Sequence, residues 1–383
     1  MTDNLIIVGT DSDNPFAIDI GRFCHQRQDI SDLISLKNFA NAEFCPRFIV
    51  GGHHQPGYGL DGRKVVIVST SAGTHSRNAL SMRSLLVARA AKDNGAQCVT
   101  LVEPDLFYSA QDRGPRPEHG QLDHPRTTSD YSKFEGQPFS SRLYAQLLRL
   151  AGVDSVVTVH NHSISVAREF EKAMPEGFYN LLPAGIFARY LRDSRAVDVS
   201  DEGRHLVICA PDRGAMGFAR MVRHEFGLPN IRVLQMKKER SGERSVSIGI
   251  DGDSEVALAD VAGKDVLVVD DMVRTGTTIM ECCRHLKFGQ ARRVVFAVTH
   301  FYSSEESRGC LNSPECDEIV TTNTIPTILN RDMQGRLRKK LCVLKIERWI
   351  ARFLLRLAGI EDAGPEEPLV TVDMSSKHPR WQG

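Results

Sequence analysis

The sequence has no excess of charge of either sign, since its 383 residues include 48 Lys plus Arg and 48 Asp plus Glu. This balance removes any general attraction to nucleic acid or to an anionic membrane, so an anion site has to be local. No stretch approaches the roughly 18 apolar residues that cross a bilayer. The amino terminus, MTDNLIIVGT, lacks the basic and apolar regions of a signal peptide. We therefore expect a cytoplasmic protein that binds neither nucleic acid nor membranes.

Paired cysteine spacing is also missing. The nine cysteines are scattered without a CxxC pair, and the one adjacent pair, Cys282 and Cys283, falls in a helical pattern. An odd count with this spacing argues against both a disulfide framework and a zinc site. Reduced thiols are the simpler expectation.

What the sequence does contain is a regular alternation of two kinds of segment. Short apolar, β-branched runs predict strands that are buried on both faces, as in a parallel sheet. These runs cover residues 5–8, 65–69, 98–102, 155–159, 206–210, 231–234, 266–269, 294–298 and 319–321. Between them, apolar residues recur at helical spacing over residues 77–94, 140–151, 214–226 and 277–288. The alternation predicts an α/β fold whose ligands bind at the carboxyl ends of the strands.

The two sets of strands predict two tandem domains, each with a mainly parallel central sheet flanked by helices. The predicted bounds are residues 1–162 and 163–360, followed by a polar tail at 361–383. Residues 114–137 are rich in Pro, His, Asp, Ser and Thr without periodicity, which predicts a long loop inserted in the first domain. Residues 341–357 have apolar residues at helical spacing, with basic residues between them. They predict a helix with a solvated basic face or, alternatively, a partner-binding helix.

The segment that carries the most chemistry is VLVVDDMVRTGTT, at residues 266–278. Its apolar run ends in Asp270 and Asp271, two carboxylates that can accept hydrogen bonds from vicinal ribose hydroxyls. A turn at the start of the next predicted helix follows, made of Thr275, Gly276, Thr277 and Thr278. Its N–H groups, hydroxyls and helix dipole favour a phosphate. Either half alone could simply end a strand or cap a helix, but the whole run predicts binding of a 5-phosphorylated ribose.

The same run resembles the phosphoribosyl-diphosphate (PRPP) binding signature of the type I phosphoribosyltransferase-like superfamily. That superfamily includes phosphoribosyltransferases, which use PRPP, and ribose-phosphate diphosphokinase, which makes it. Further segments resemble the diphosphokinase. Residues 106–113 (LFYSAQDR) are similar to its ATP-site segment Phe-Pro-Tyr-Ala-Arg-Gln-Asp-Arg. The resemblance implies ATP contacts for three residues, Gln111, Asp112 and Arg113.

A second nucleotide-site resemblance lies near the amino terminus, where FANAE at residues 39–43 is similar to Phe-Ser-Asp-Gly-Glu. In the family this hairpin reaches into a neighbouring subunit and holds the adenine. The resemblance implies that Phe39 stacks on the base while Asn41 and Glu43 bind its edge. A buried strand phenylalanine is the alternative interpretation of Phe39.

Two residues at predicted strand ends are implied to bind magnesium. VDSVVTVHNH ends in His162, which matches the family's magnesium-associated histidine, although a lone histidine could also cap a helix or lie in a core. Asp212, in CAPDRG, matches the aspartate of the family's Ser-Pro-Asp-x-Gly. Mg²⁺ commonly binds through a few carboxylates together with waters and phosphates, so isolated acids suffice.

A pair of basic residues is implied to be catalytic. KKER, at residues 237–240, lies in a polar stretch between two predicted strands, where the family has a flexible loop with Lys-x-Arg. Lys238 and Arg240 match that spacing and would neutralise charge on a transferring polyphosphate. A solvated charge run is the alternative. Residues 320–326 (VTTNTIP) closely resemble a further family segment, to which we assign no chemistry.

Together, these segments imply transfer of the diphosphoryl group of ATP to ribose 5-phosphate, with Mg²⁺ as cofactor, by a homo-oligomer (dimer or hexamer). The chain departs from the family at several positions, including the ribose loop, where Gly276-Thr277 replaces Cys-Gly. Ala110 replaces an arginine for which Arg113 is a candidate substitute, His160 replaces an aspartate, and Arg274 replaces an acid. These departures keep two alternatives open: a PRPP-using phosphoribosyltransferase, and a non-catalytic homologue that regulates a diphosphokinase.

Overall fold

The computed structural model describes residues 4–50, 55–122, 125–161, 163–240, 246–361 and 369–373, and for residues 238–240 and 246–248 it describes the backbone only. The chain divides into two compact units. Met1–Leu181 and Glu347–Pro368 form the first, and Leu182–Ile346 and Leu369–Gly383 form the second.

The first unit is built on a parallel sheet of five strands in the order β1-β4-β5-β6-β7. Its strands are β1 (Leu5–Gly9), β4 (Lys64–Val68), β5 (Cys98–Val102), β6 (Ser155–Val159) and β7 (Gly177–Leu181), with a separate antiparallel hairpin of β2 (Ile34–Asn38) and β3 (Phe44–Phe48). Its helices are α1 (Pro15–Phe23), α2 (Ile30–Leu33), α3 (Arg77–Asp93), α4 (Thr128–Lys133), α5 (Ser140–Ala151), α6 (Ile164–Ala173) and α13 (Glu347–Ala358). Every residue of β1 and β6 is buried, as expected for strands covered on both faces.

The second unit is built on an eight-stranded sheet in the order β10-β9-β8-β11-β12-β13-β14-β15. Its strands are β8 (Leu206–Ala210), β9 (Arg232–Arg240), β10 (Val246–Ile250), β11 (Asp265–Val273), β12 (Arg293–Phe301), β13 (Glu318–Thr322), β14 (Leu341–Lys345) and β15 (Thr371–Val372). Its helices are α7 (Ala184–Asp193), α8 (Ser200–Gly203), α9 (Met216–Phe226), α10 (Thr277–Phe288), α11 (Glu305–Leu311) and α12 (Arg331–Gln334). The inner strands are parallel, and only the edge pairs β9–β10 and β14–β15 are antiparallel.

The structure differs from the predicted domain bounds. The first sheet continues past residue 162, because β7 pairs with β6 through Val159↔Leu181. Its unit also includes α13, which packs on α1 and belongs to the predicted second domain. Within the predicted tail, the short strand β15 pairs with β14.

Residues 341–357 are not one helix, and that prediction was wrong. Leu341–Lys345 is a strand paired in parallel with β13, and only Glu347–Ala358 is helical. A short apolar run fits a buried strand as well as a helical stripe, so periodicity could not separate the two. In the predicted insertion, Thr128–Lys133 forms the short helix α4.

Among the described residues, none of the helices is both long enough and apolar enough to cross a membrane.

Candidate active site

Three carboxylates converge at the carboxyl edge of the second unit's sheet. Asp270 and Asp271 lie near the end of β11, and Asp212 follows the neighbouring parallel strand β8. The N–H of Asp271 donates to Asp270 Oδ1 over 3.0 Å, and the N–H of Met272 donates to Asp271 Oδ1 over 2.7 Å. Asp212 Oδ1 accepts the N–H of Ala215 at 3.3 Å. The sequence-predicted ribose and metal carboxylates therefore share one edge of one sheet.

The cluster is electrostatically strained without a ligand. Burial raises the pKa of Asp270 well above its usual range, and the charges of Asp271 and then Asp212 raise it further. Hydroxyl donors or a cation at this edge would favour the ionised form. The site is thus suited to a ligand that brings hydrogen-bond donors, positive charge or both.

The predicted phosphate turn joins β11 to α10. Gly276 is the residue before the first turn of α10 and has φ +85°, a left-handed conformation that favours glycine. A Cβ there would also lie 3.1 Å from Leu311 Cγ. The first intrahelical bond runs from the N–H of Met280 to the carbonyl of Gly276. The N–H groups that precede it, at Thr277 and Thr278, therefore have no acceptor inside the helix and are available to an anion.

Neighbouring segments hold this turn in place. Ser304 Oγ donates to the carbonyl of Arg274 over 3.1 Å, and the N–H of Tyr302 donates to the carbonyl of Val273 over 3.0 Å. The Arg274 guanidinium lies 5.7 Å from the centre of the Tyr302 ring. Thr275 Oγ1 and Thr277 Oγ1 are 3.4 Å apart on the exposed side of the turn. Sequence reasoning did not identify Tyr302 or Ser304, because both contribute through tertiary contacts.

The predicted catalytic pair lies on β9. This strand runs through Arg240 and pairs with β10, with Lys238 opposite Ile248 and Arg240 opposite Val246. The polar stretch is therefore strand up to residue 240. Positions 238 and 240 are two apart, so strand periodicity assigns them to the same face. Their side chains lie outside the described part of the structure.

The predicted ATP segment follows β5 in the first unit, and two of its three side chains are engaged internally. Asp112 is buried, and its carboxylate accepts Ser163 Oγ at 2.6 Å and Arg113 Nε at 3.1 Å. Arg113 Nη1 donates to Asp130 Oδ1 over 2.8 Å. Gln111 is exposed. Arg113 is therefore engaged by the insertion, and its predicted contact with ATP stays a prediction.

Arg126, whose side chain is only 4% exposed, links the described parts of the insertion, residues 114–122 and 125–137, hereafter the cap. Its Nε donates to Asp130 Oδ2 over 2.6 Å, and its two terminal nitrogens donate to the carbonyls of Gly114 and His119 over 2.8 and 2.9 Å. The guanidinium also lies 4.3 Å from the centre of the Tyr131 ring. A single buried cation thus links the beginning of the insertion to its helix, α4.

Replacing Arg126 by methionine should loosen the cap. The change removes the guanidinium bonds to the two carbonyls and to Asp130. Asp130 keeps its bond from Arg113, so the expected cost is about 1.5–3 kcal/mol of local stability. Amide hydrogen exchange over residues 114–122 and 125–137 should become much faster. Arg116→Met is the matched control, since the Arg116 side chain is 71% exposed and its pairing with Glu118 is 4.0 Å long. Equal exchange in both variants would show that Arg126 does not hold the cap.

The hairpin turn with the predicted adenine-binding residues is exposed. Phe39 retains 46% of its surface, and Asn41 and Glu43 are also exposed. The N–H of Phe39 donates to the carbonyl of Glu43, and Asn41 Oδ1 accepts the N–H of Glu43 at 3.2 Å. The alternative interpretation of Phe39 as a buried strand residue is therefore excluded.

Of the two predicted metal residues, Asp212 lies at the acidic edge of the second unit's sheet. His162 lies outside the described residues, and its neighbour Ser163 caps α6 while bonding Asp112. Within the described ranges, no group of three or more His, Cys, Asp or Glu side chains is arranged to hold a metal ion.

Comparison with known proteins finds several that are similar to this chain in sequence. Residues 187–326 match the family model of the phosphoribosyl transferase domain. A ribose-phosphate pyrophosphokinase of Corynebacterium efficiens is 28% identical over 293 residues, covering 76% of this chain and 77% of that protein. One from Methanopyrus kandleri is 28% identical over 268 residues, covering 70% and 78%. Ribose-phosphate pyrophosphokinase 4 of Saccharomyces cerevisiae is 26% identical over 279 residues, covering 72% and 73%.

A solved structure supports the fold. The crystal structure of phosphoribosylpyrophosphate synthetase from Mycobacterium smegmatis matches with a TM-score of 0.67 and 22% identity, covering 93% of this chain and 99% of that one. The predicted α/β fold is thereby confirmed.

Proposed function

We propose, from the premise that this chain belongs to the ribose-phosphate pyrophosphokinase (diphosphokinase) family, that it converts ATP and ribose 5-phosphate to PRPP and AMP. The observation that carries the proposal is the convergence of the Asp270–Asp271 pair with the phosphate turn of α10. Hydroxyl-accepting carboxylates beside a helix amino terminus suit a ligand with vicinal hydroxyls at one end and a phosphate at the other.

Ribose 5-phosphate would bind across this edge. Asp270 and Asp271 would accept hydrogen bonds from the ribose hydroxyls. Residues 275–278 would hold the 5-phosphate through the N–H groups and hydroxyls of the turn. Such binding fixes the anomeric hydroxyl, and orientation of this kind is a large part of catalysis by transferases.

In the transfer step, the anomeric oxygen bonds to the β-phosphorus of ATP. The bond between that phosphorus and its oxygen bridge to the α-phosphate breaks, and the electron pair leaves with AMP while the hydroxyl proton is released. Lys238 and Arg240 would neutralise charge on the transferring group and on the departing AMP. No covalent enzyme intermediate is needed.

The acidic edge also fits a cation. Asp271 and Asp212 both raise the pKa of Asp270, so a positive charge beside them would relieve this repulsion. Mg²⁺ would be held by Asp212 and His162 together with substrate phosphates and waters, since Mg²⁺ seldom uses an all-protein cage. When bound, it would neutralise charge on the diphosphoryl group.

The nucleotide would be held by exposed groups of the first unit. Phe39 would stack on the base, Asn41 and Glu43 would bind its edge, and Gln111 would contribute from the ATP segment. The buried Asp112 would hold that segment in place through its bonds to Ser163 and Arg113. The exposed hairpin would complete a neighbouring subunit's site, so we infer a homo-oligomer (dimer or hexamer), and we assign it to the cytoplasm.

One assay tests the proposal against both alternatives. The purified chain is incubated with ATP, ribose 5-phosphate and Mg²⁺, and AMP and PRPP are quantified by ion-exchange chromatography. We expect equimolar AMP and PRPP, and none when ribose 5-phosphate is omitted. Consumption of added PRPP with a nucleobase, without AMP formation, would identify a phosphoribosyltransferase. No turnover in either assay would favour the regulatory homologue.

A further inference from the structure

Arg83 is a buried cation that sequence reasoning did not assign, and it lies directly beneath the exposed hairpin. It belongs to α3 and keeps only 6% of its surface exposed. Leu80 and Val87, one turn to either side of it, are buried apolar residues. A charged side chain on the buried face of a helix needs several good partners, because burying an unpaired charge is costly.

The partners of Arg83 come from two places in the first unit. Nη1 donates to the carbonyl of Thr10 over 2.8 Å and to Asp11 Oδ1 over 2.7 Å, just beyond the end of β1. Nη2 donates to Asn38 Oδ1 over 3.1 Å, and the guanidinium lies 4.3 Å from the centre of the Phe44 ring. One planar group therefore joins the edge of the main sheet to both strands of the hairpin.

The two hairpin contacts fall at one position. Asn38 and Phe44 are register partners in the β2–β3 ladder, and they enclose the turn at residues 39–43. Arg83 thus holds the rung from which Phe39, Asn41 and Glu43 project. The turn is closed by its own local bonds, from the N–H of Phe39 to the carbonyl of Glu43 and from the N–H of Glu43 to Asn41 Oδ1, and all five of its residues are exposed.

The opposing charge is itself well held. Asp11 is 8% exposed, accepts Thr74 Oγ1 at 3.2 Å, and lies 3.2 Å from His75 Nε2. The Asp11 carboxylate holds Nη1 of the guanidinium. Nη2 and the face of the guanidinium then contact the hairpin. A lysine could keep the ion pair but could not also donate to Asn38 and stack on Phe44.

We propose that Arg83 is a positioning residue for the nucleotide, which sets the hairpin turn so that Phe39, Asn41 and Glu43 meet the adenine. This role rests on the proposed function. It acts on ATP binding and on the choice of base, and it leaves the ribose end and the transfer step untouched. Displacing a binding group by about 1 Å can cost as much as 10²-fold, so a loosened turn should mainly raise KM for ATP.

The test uses steady-state kinetics with Arg83→Lys, Arg83→Met and Asn38→Ala. Asn38 is exposed, so removing its amide breaks the contact without disturbing the core. We expect KM for ATP to rise about 10-fold in Arg83→Met and in Arg83→Lys, and a few-fold in Asn38→Ala. In each variant kcat and KM for ribose 5-phosphate should stay within about 3-fold of wild type, and the preference for ATP over GTP should shrink. Arg89→Lys is the matched control, since it lies on the same helix, is 50% exposed and pairs with Asp93.

The outcomes separate this role from the proposed function. If wild type forms no AMP, the proposed function fails. If wild type is active and KM for ATP is unchanged in both Arg83→Met and Asn38→Ala, only the positioning role fails. A fall in kcat with a lower melting temperature in Arg83→Met, without any effect in Asn38→Ala, would reduce Arg83 to a structural residue and overturn the proposal.

Discussion

Replacing Lys238 by alanine is expected to lower kcat for AMP formation by about 10²–10³-fold, the usual cost of removing one donor that stabilises a developing charge. KM for ribose 5-phosphate should change little, because the carboxylates and the turn that we propose to bind it lie on β11 and α10. Arg240→Ala should have a loss of similar size. The measurement is the initial rate of AMP release at saturating ATP and ribose 5-phosphate.

Lys237 provides the control for this prediction. It precedes Lys238 on β9, has the same side chain and pairs in register with Gly249. Strand periodicity puts it on the opposite face from positions 238 and 240. Lys237→Ala should therefore retain kcat within a few-fold. Equal losses of kcat in Lys237→Ala and Lys238→Ala would mean that the total positive charge of this hairpin determines the rate. Lys238 would then have no specific catalytic role.

The arrangement of the proposed ribose site could be predicted because most of its residues are contiguous in sequence. The apolar run, the acid pair and the helix start occupy residues 266–278, and α10 spans residues 277–288 as predicted. A parallel strand that ends in polar residues before a helix is a local signal. Asp212 joined the same edge because β8 and β11 are neighbours, which the α/β pattern permits but does not specify.

The proposed nucleotide site was less predictable, because the residues that contact its side chains are distant in sequence. Asp112 and Arg113 are engaged by Ser163 and Asp130, and Asp130 belongs to an insertion that has no periodicity to interpret. The sequence does contain one indication of the role of Arg83, because it is a charged residue at helical spacing from the apolar residues Leu80 and Val87. That spacing predicts a buried partner, but only the tertiary structure identifies Asn38 and Phe44 as those partners.

Replacing Asp270 by asparagine is expected to stabilise the ligand-free protein while reducing its activity. Asparagine keeps an oxygen for the N–H of Asp271 but cannot ionise, so the repulsion from Asp271 and Asp212 disappears. Losing a charged acceptor for a ribose hydroxyl should lower kcat/KM for ribose 5-phosphate by up to about 10²-fold. Opposite changes in stability and activity are expected where a site holds strained charges for its ligand.

The stability difference should depend on pH in a defined direction. An unfolded aspartate has a pKa of about 3.9, and the folded pKa of Asp270 is raised above its usual range. Below the unfolded pKa, Asp270 is protonated in both the folded and the unfolded state, so its ionisation does not change the free energy of unfolding. As pH rises above it, the unfolded state releases the proton first, so wild type loses stability until the raised folded pKa is passed. The increase in stability caused by Asp270→Asn, relative to wild type, should therefore be near zero at about pH 4 and largest in alkaline solution.

Thermal unfolding from about pH 4 to pH 9 measures this gain, and each 1 kcal/mol should move Tm by about 2–4 °C in a unit of this size. Asp253→Asn is the control, since Asp253 is an exposed carboxylate of the same unit. Its Tm difference from wild type should be small and nearly independent of pH. If Asp270→Asn proves no more stable than wild type at pH 8, the carboxylate is not strained in the free protein. The Asp270 carboxylate would then serve mainly as a structural acceptor for the N–H of Asp271. If the gain appears together with the loss of activity, the strain of Asp270 is relieved when the sugar or the cation binds.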